Sequence, residues 1–119
     1  MEKKYDLEDR TEAFARMTIA LCNKLPKNTV NIELISQGVR AAGSVGANYI
    51  EANEALSKKD FANRIKICRK EAKECRYWLR LIQSANTQFE KDVPALVQEA
   101  TELMNIFGAI LRKSTEPAQ

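Results

Sequence analysis

The chain has 119 residues, a formal net charge of +3, four glycines, three prolines and no histidine. This length allows one domain, over residues 1–119, with a single hydrophobic core, and it excludes two. Apolar residues recur at intervals of three and four without strand-like alternation, so the sequence predicts an all-α protein.

No segment of the sequence predicts contact with a membrane. The longest apolar run is far shorter than the roughly 20 residues that a membrane-spanning helix needs. The N-terminal residues MEKKYDLEDR contain no apolar stretch that would serve as a signal peptide. We therefore expect a cytoplasmic protein in which Cys22, Cys68 and Cys75 are reduced core residues. Cys68 and Cys75 are two helical turns, roughly 10 Å, apart along a helix, too far for a disulfide.

Four helices with three short connections are predicted, at about residues 6–24, 32–55, 57–85 and 92–113. Pro26 and the polar residues after it mark the end of the first helix. Its predicted core residues are Leu7, Phe14, Met17, Leu21 and Leu25.

The second helix, with Asn31 as its predicted N-cap, has two apolar flanks. The predicted core line is Ile32, Ile35, Val39, Ala42, Gly46, Tyr49 and Ile50. The other flank, which we expect at a contact between subunits, contains Leu34, Ala41 and Val45 and continues to Ala52. Four helices alone would not bury both flanks, so the pattern favours a homo-oligomer.

Small residues are concentrated in the middle of this helix, where seven of the ten positions from Gly38 to Ala47 are Gly, Ala or Ser. A glycine inside a helix costs about 1 kcal/mol relative to alanine. We therefore expect a neighbouring helix to approach closely at Gly38, Gly43 and Gly46. Asn48 is predicted to be buried and to hydrogen-bond Glu74 of the third helix.

The third helix sorts three kinds of side chain onto three sides. Ser57 and Asp60 resemble a capping box at its start. The predicted core seam is Phe61, Ile65, Cys68, Ala72, Cys75, Leu79 and Ile82. One adjoining side carries a basic arc made of Lys58, Lys59, Lys66, Arg69, Lys70, Lys73, Arg76 and Arg80. The other side carries Ile67, Trp78 and Leu81, which we expect at a subunit contact.

The fourth helix repeats the simple amphipathic pattern. Asp92 is its predicted N-cap, and Pro94 is tolerated in its first turn. Its predicted core residues are Leu96, Ala100, Leu103, Phe107 and Ile110. The residues after Lys113 are expected to fray.

The positive charge of the protein is concentrated on the third helix. Residues 58–83 contain nine Lys or Arg and three acids, a net charge of +6, so the rest of the chain has −3. Like charges stand four residues apart, which is unfavourable on a helix, at Lys66 with Lys70, Arg69 with Lys73, and Arg76 with Arg80. Acids of another helix or subunit, such as Glu99 and Glu102, would neutralise the arc, or a polyanion would, or the arc is a solvated surface. Tyr77, on the margin, would stack on a base.

Two segments carry a family resemblance. QGVRAAGSVGANYIEA (residues 37–52) and KDFANRIKICRKEAKECRYWLRLI (residues 59–82) resemble helices of the bacterial proteins encoded in 23S ribosomal RNA intervening sequences. The similarity extends from about Tyr5 to Leu111. It implies an antiparallel, up-and-down four-helix bundle that assembles into a ring-like homopentamer. The same superfamily includes the accessory protein of diversity-generating retroelements, which assembles with a reverse transcriptase and nucleic acid. Residues 68–72 read CRKEA where many members have A-x-G-S-x, so the glycine of that pattern is missing here.

The sequence predicts no enzyme. Without histidine there is neither an imidazole base for a nucleophile nor a Glu-x-x-His pair for a di-iron site, and no Gly-rich phosphate loop is present. We therefore expect no catalytic residue, metal or cofactor. The favoured function is an oligomeric bundle that binds RNA or other nucleic acid through phosphates on the basic arc. The alternative is a protein-interaction scaffold that recruits a partner such as a reverse transcriptase.

Overall fold

The protein is an all-α four-helix bundle. The computed structural model describes residues 6–115, with α1 at Leu7–Lys24, α2 at Thr29–Asn53, α3 at Lys58–Ala85, a 3₁₀ turn at Thr87–Phe89, and α4 at Pro94–Thr115. No strand occurs among these residues. Residues 1–5 and 116–119, on which the predictions for the N-terminal segment and the C-terminal tail partly fall, lie outside them. The expected fraying after Lys113 is not seen at Ser114, which is helical.

Side-chain caps begin α1, α2 and α3, and two of the three predicted caps, Asn31 and Asp92, are wrong. Ser57 accepts a hydrogen bond from the Asp60 backbone N–H at 3.0 Å, as predicted. Helix α2 instead begins three residues earlier than expected, because Asn28 accepts from the Asn31 backbone N–H at 2.8 Å. Both asparagines suit an N-cap, and the earlier one is used. The Asn31 side chain is thereby free to enter the core.

Asp92 does not stand directly before the fourth helix. The helix begins at Pro94, where a missing N–H has no cost. The Asp92 carboxylate accepts a hydrogen bond from Lys24 Nζ at 3.2 Å. Asp92 therefore links the end of α1 to the turn before α4.

The predicted core seams of α3 and α4 are largely confirmed, and that of α1 has one error. All the seam residues of α3 are buried except Phe61, and those of α4 are buried except Ile110; these two are half-buried. In α1, Met17 is 47% exposed, whereas Thr11 and Thr18 are buried. Their hydroxyls donate to the carbonyls of Leu7 and Phe14, four residues earlier, so they are satisfied inside the core.

The second helix buries the flank predicted for a subunit contact together with only part of the predicted core line. Of that line, Ala42 is buried and Ile35, Val39 and Tyr49 pack against the core. Ile32 and Ile50 of the predicted core line are 58% and 50% exposed. Leu34, Ala41 and Val45 are buried inside the single chain, so the prediction that they lie at a subunit contact is wrong. Small side chains on this flank, such as that of Ala41, suit the close packing of one helix against another.

Close approach at the glycines of α2 is confirmed at one position only. A Cβ at Gly46 would lie 2.9 Å from Thr11 Oγ1 of α1, closer than real Cβ contacts occur. At Gly38 the nearest atom, Ile82 Cδ1, would be at an ordinary 3.5 Å, and at Gly43 nothing lies within 4 Å. Only Gly46 is therefore required by packing.

The three cysteines are buried free thiols, as predicted. Burial raises the pKa of all three, to about 12 for Cys68 and for Cys75. None of the helices within residues 6–115 has an apolar stretch long enough to cross a membrane.

Candidate nucleic-acid interface

The basic arc forms a continuous surface along α3. Seven of its eight residues are exposed, and Arg76 is half-buried. From Lys58 to Arg80 the arc extends roughly 33 Å at 1.5 Å per residue. The arc follows from helical geometry, because its residues recur at three- and four-residue spacings on one side of the buried seam. The structure thus brings together all eight predicted residues.

The two glutamates of α3 point away from the arc, toward α2. Arg40 of α2 donates to Glu71 Oε1 and to Glu74 Oε1, each at 3.4 Å. The Glu71 side chain is only 10% exposed. One arginine of α2 therefore engages both glutamates that α3 carries beyond its first turn, and neither neutralises the arc.

The acids of α4 are also engaged elsewhere. Arg10 of α1 donates to Glu99 at 2.7 and 2.8 Å and to Glu102 at 2.8 Å. The hydrogen bond to Glu99, together with the two negative charges, raises the pKa of Arg10. Hydrogen bonds from Gln98 and then Arg10 lower the pKa of Glu102. Within the chain, Glu99 and Glu102 therefore do not neutralise the basic arc, and neutralisation by acids of another subunit stays one of the alternatives.

The arc has no acidic partner inside the described part of the chain. Across residues 6–114, no Asp or Glu oxygen lies within 4.0 Å of a basic nitrogen of the arc. The like-charge neighbours four residues apart keep their mutual repulsion. The arc is thus a positive surface that the described residues of its own chain leave unneutralised.

The positive surface continues onto α4, which the sequence prediction missed. Arg76 Nη1 donates to Thr101 Oγ1 at 3.3 Å, so this side chain lies across the seam between the two helices. Arg69 also crosses the seam, with Nε 3.5 Å from the position that a Cβ would occupy at Gly108. Arg112 Nη1 lies 3.6 Å from the same position. The sequence does show that the last turn of α4 is basic. It does not show that this turn lies beside Arg69, because that depends on how α4 packs against α3.

One end of this surface is an open groove of about 530 Å³. Lys58 of α3 and Lys113 of α4 line it, together with Phe61 and the almost fully exposed Leu56. Lys113 therefore adds a second positive charge from α4 next to the start of the arc.

The aromatic residues of α3 lie on different sides. Tyr77 is 56% exposed beside the arc, and its ring meets the Trp78 ring edge-on at 5.2 Å between centroids. Trp78, Ile67 and Leu81 are half-buried. Their expected place at a subunit contact stays a prediction.

Asn48 and Glu74 are not the predicted buried pair. The Asn48 amide donates to the Ser44 carbonyl at 2.9 Å, and its Oδ1 accepts from Arg64 Nη1 at 3.0 Å. Asn48 is half-buried, and the Glu74 side chain is 44% exposed. Glu74 lies beside Arg40, about two helical turns from Asn48 along α2, whereas the α3 residue opposite Asn48 is Arg64.

The buried polar pair of this bundle is Asn31 with Asn86, which the sequence prediction did not find. Each amide donates to the other's Oδ1 at 2.8 Å. The second N–H of each reaches a backbone carbonyl, Pro26 O for Asn31 and Ile82 O for Asn86. The pair ties the start of α2 to the end of α3. Among residues 6–115, no three His, Cys, Asp or Glu side chains are grouped so that they would hold a metal ion.

Comparison with known proteins agrees with this architecture. The sequence model of the 23S rRNA-intervening sequence protein family matches residues 3–109. The chain belongs to this family. The resemblance seen in the α2 and α3 segments is thereby confirmed.

A solved structure is similar to this 23S rRNA-intervening sequence family protein. It is the crystal structure of a protein of unknown function from the S23 ribosomal protein family of Bacteroides thetaiotaomicron VPI-5482. The two chains are 28% identical and superpose with a TM-score of 0.78, over 88% of this chain and 97% of the other. The comparison with curated proteins gives no match.

Proposed function

We propose that this 23S rRNA-intervening sequence family protein is a non-enzymatic helical bundle that binds RNA or another nucleic acid through its phosphates. The observation that carries the proposal is the sorting of charge on α3 and α4. Arg40 and Arg10 engage the neighbouring glutamates, so the basic arc is left without an acidic partner in the described residues. A phosphate backbone would relieve the repulsion between like charges along about six helical turns.

The composition of the surface favours contact with phosphates rather than with bases. Five of the eight arc residues are lysines, whose ammonium groups act as point charges on flexible stems. Tyr77 is the exposed aromatic side chain beside the arc, so at most one base would stack there. Binding of this kind depends steeply on salt and weakly on sequence.

We also propose an antiparallel, up-and-down bundle that forms a ring-like homo-oligomer, with five subunits as the family resemblance implies. The helix direction is supported by paired contacts, since Asn31 meets Asn86, Arg40 meets Glu71 and Asn48 meets Arg64. As the α2 number rises, the α3 number falls. The oligomer is supported by the apolar side chains that one chain leaves partly exposed on α2.

The test is a triple charge reversal on the arc. Changing Lys66, Arg69 and Lys73 to Glu should weaken binding to a synthetic RNA hairpin strongly. It should also reduce the slope of log affinity against log salt by about one unit per lost phosphate contact. Helix content by circular dichroism and oligomer size by light scattering should not change.

A matched control separates local contact from overall charge. It carries the same change of net charge at three exposed positions off the arc, Arg16, Lys27 and Lys91, each changed to Glu. This control should retain most of the affinity. Undiminished binding by the arc variant would contradict the proposal, and a loosened oligomer would show that the arc instead pairs with a neighbouring subunit.

A scaffold that recruits a partner protein, such as a reverse transcriptase, is the second candidate. It is favoured by the exposed apolar residues Val30, Ile32 and Ile50 of α2 and by Leu56, which is 98% exposed. If the protein is a scaffold, the arc variant should still bind the partner protein. Changing Ile32 and Ile50 to Ser should then abolish binding of the partner protein.

A further inference from the structure

Arg69 of α3 and Arg112 of α4 both reach the space over one glycine, Gly108, at the seam of the two helices. Arg69 Nε and Arg112 Nη1 lie 3.5 and 3.6 Å from the point where a Cβ would stand at Gly108. Gly108 is itself buried beneath them. Any side chain longer than a methyl group at this position would occupy the space in which the two guanidinium groups lie.

We propose that Arg69 and Arg112 act together as a clamp for a single phosphate of a nucleic-acid backbone. The proposal rests on the proposed function, because it assigns a particular contact within the basic surface. A guanidinium presents a planar fork of donors that matches phosphate oxygens, so two guanidinium groups beside the same space can bind one phosphate together. Arg69 has no acidic partner among the described residues that would serve instead.

The arginines at the seam of α3 and α4 differ from the lysines of the arc because their side chains lie against α4. Arg76, seven residues after Arg69, donates to Thr101, which stands seven residues before Gly108. The two arginines of α3 therefore cross α4 at corresponding positions two turns apart. The lysines of the arc point outward on flexible stems, so the seam arginines would fix the backbone while the lysines add diffuse attraction.

A double-mutant cycle tests whether the two arginines hold one phosphate. The probe is a synthetic RNA hairpin, with affinity measured over a range of salt. Arg69→Gln and Arg112→Gln should each weaken binding roughly ten- to a hundredfold, as the loss of a charge-assisted hydrogen bond does. The double variant should be scarcely weaker than either single one, because each change already opens the same clamp.

The matched comparison is Arg69→Gln combined with Lys59→Gln. These residues lie ten positions, roughly 15 Å, apart on α3, so they would contact different phosphates. Their fold-losses should multiply.

A second variant disturbs the clamp without changing charge. Gly108→Leu should push the two guanidinium groups apart and lower affinity to a similar extent, with the helix content unchanged. Ala109→Leu adds the same side chain at the adjacent, exposed position and should leave affinity unchanged.

Each outcome decides between distinct conclusions. If Arg112→Gln binds like wild type, or if the losses for Arg69 and Arg112 multiply, the clamp is overturned while the proposed function stands. Wild-type protein that shows no salt-dependent affinity for the hairpin would overturn the proposed function, and the clamp with it.

Discussion

The pair Asn31 and Asn86 should be one of the most sensitive points in the fold. Both side chains are almost fully buried, at 1% and 2% exposure, and each contributes one donor and one acceptor to the other. Changing Asn86 to Leu would leave one N–H and one carbonyl of Asn31 buried without partners. Each unsatisfied group costs about 1–3 kcal/mol, so the expected loss from the two groups is roughly 2–6 kcal/mol.

This loss is a large fraction of the stability of a whole domain, which is about 5–15 kcal/mol. The assay is urea unfolding followed by circular dichroism, in which the midpoint should fall with little change in slope. The control is Asn63→Leu, the same substitution at an exposed position of α3, which should change the free energy of unfolding by less than about 0.5 kcal/mol.

The double variant, with Leu at both positions, shows how much of each loss comes from the hydrogen bonds between the two asparagines. It removes both amides at once, so it should lose less than the two single losses together, by about 2 kcal/mol or more. Part of the loss should remain, because the carbonyls of Pro26 and Ile82 also lose a donor. Single losses below about 1 kcal/mol that simply add would refute the reasoning.

Two other predictions concern packing and pH. The Gly46→Ala variant should be less stable than the Gly43→Ala variant by about 1–3 kcal/mol. Both substitutions gain the same helix propensity, but only the one at position 46 places a Cβ 2.9 Å from Thr11 Oγ1. Equal melting temperatures for the two variants would contradict this. Burial raises the pKa of Cys68 and of Cys75 to about 12, so unfolding above the ordinary pKa of 9.0 releases a proton from each thiol and stability should fall as pH rises toward 12. The free energy of unfolding should fall by about 1.4 kcal/mol per pH unit for each thiol. If the stability of a Cys75→Ala variant depended on pH above 9 in the same way as that of the wild type, the Cys75 thiol would not contribute to the fall.

The sequence predicted α3 well because a single periodicity decides its orientation. Its apolar residues form a narrow seam, its basic residues lie on one side of that seam, and Ser57 is a clear N-cap. The cap at Ser57 and the burial of Ile65 and Leu79 could therefore be predicted without knowledge of the neighbouring helices. The same reasoning located all eight arc residues on one surface. It could not show where Glu71 and Glu74 would find their partner, because Arg40 belongs to another helix.

The second helix shows where such prediction fails. It is apolar over most of its circumference, so hydropathy alone favoured the larger Ile32 and Ile50 as core residues. How closely two helices approach depends on side-chain volume at the contact, which favours Ala41 and Val45 there. For the same reason, the positions of Gly108 and Arg112 beside Arg69 could not be predicted, since they depend on the packing of α4 against α3.

The uneven placement of charge makes the molecule an electric dipole. Residues 58–83 carry a net +6 while the whole chain carries +3, so the other residues are negative on balance and α3 is the positive end. The field of a polyanion would rotate such a molecule during diffusion, so that α3 leads the encounter and the association rate rises. At physiological ionic strength the field decays over about 8 Å, a distance shorter than the width of one helix. Orientation would therefore take place only in the last step of approach, and lower salt would lengthen its reach.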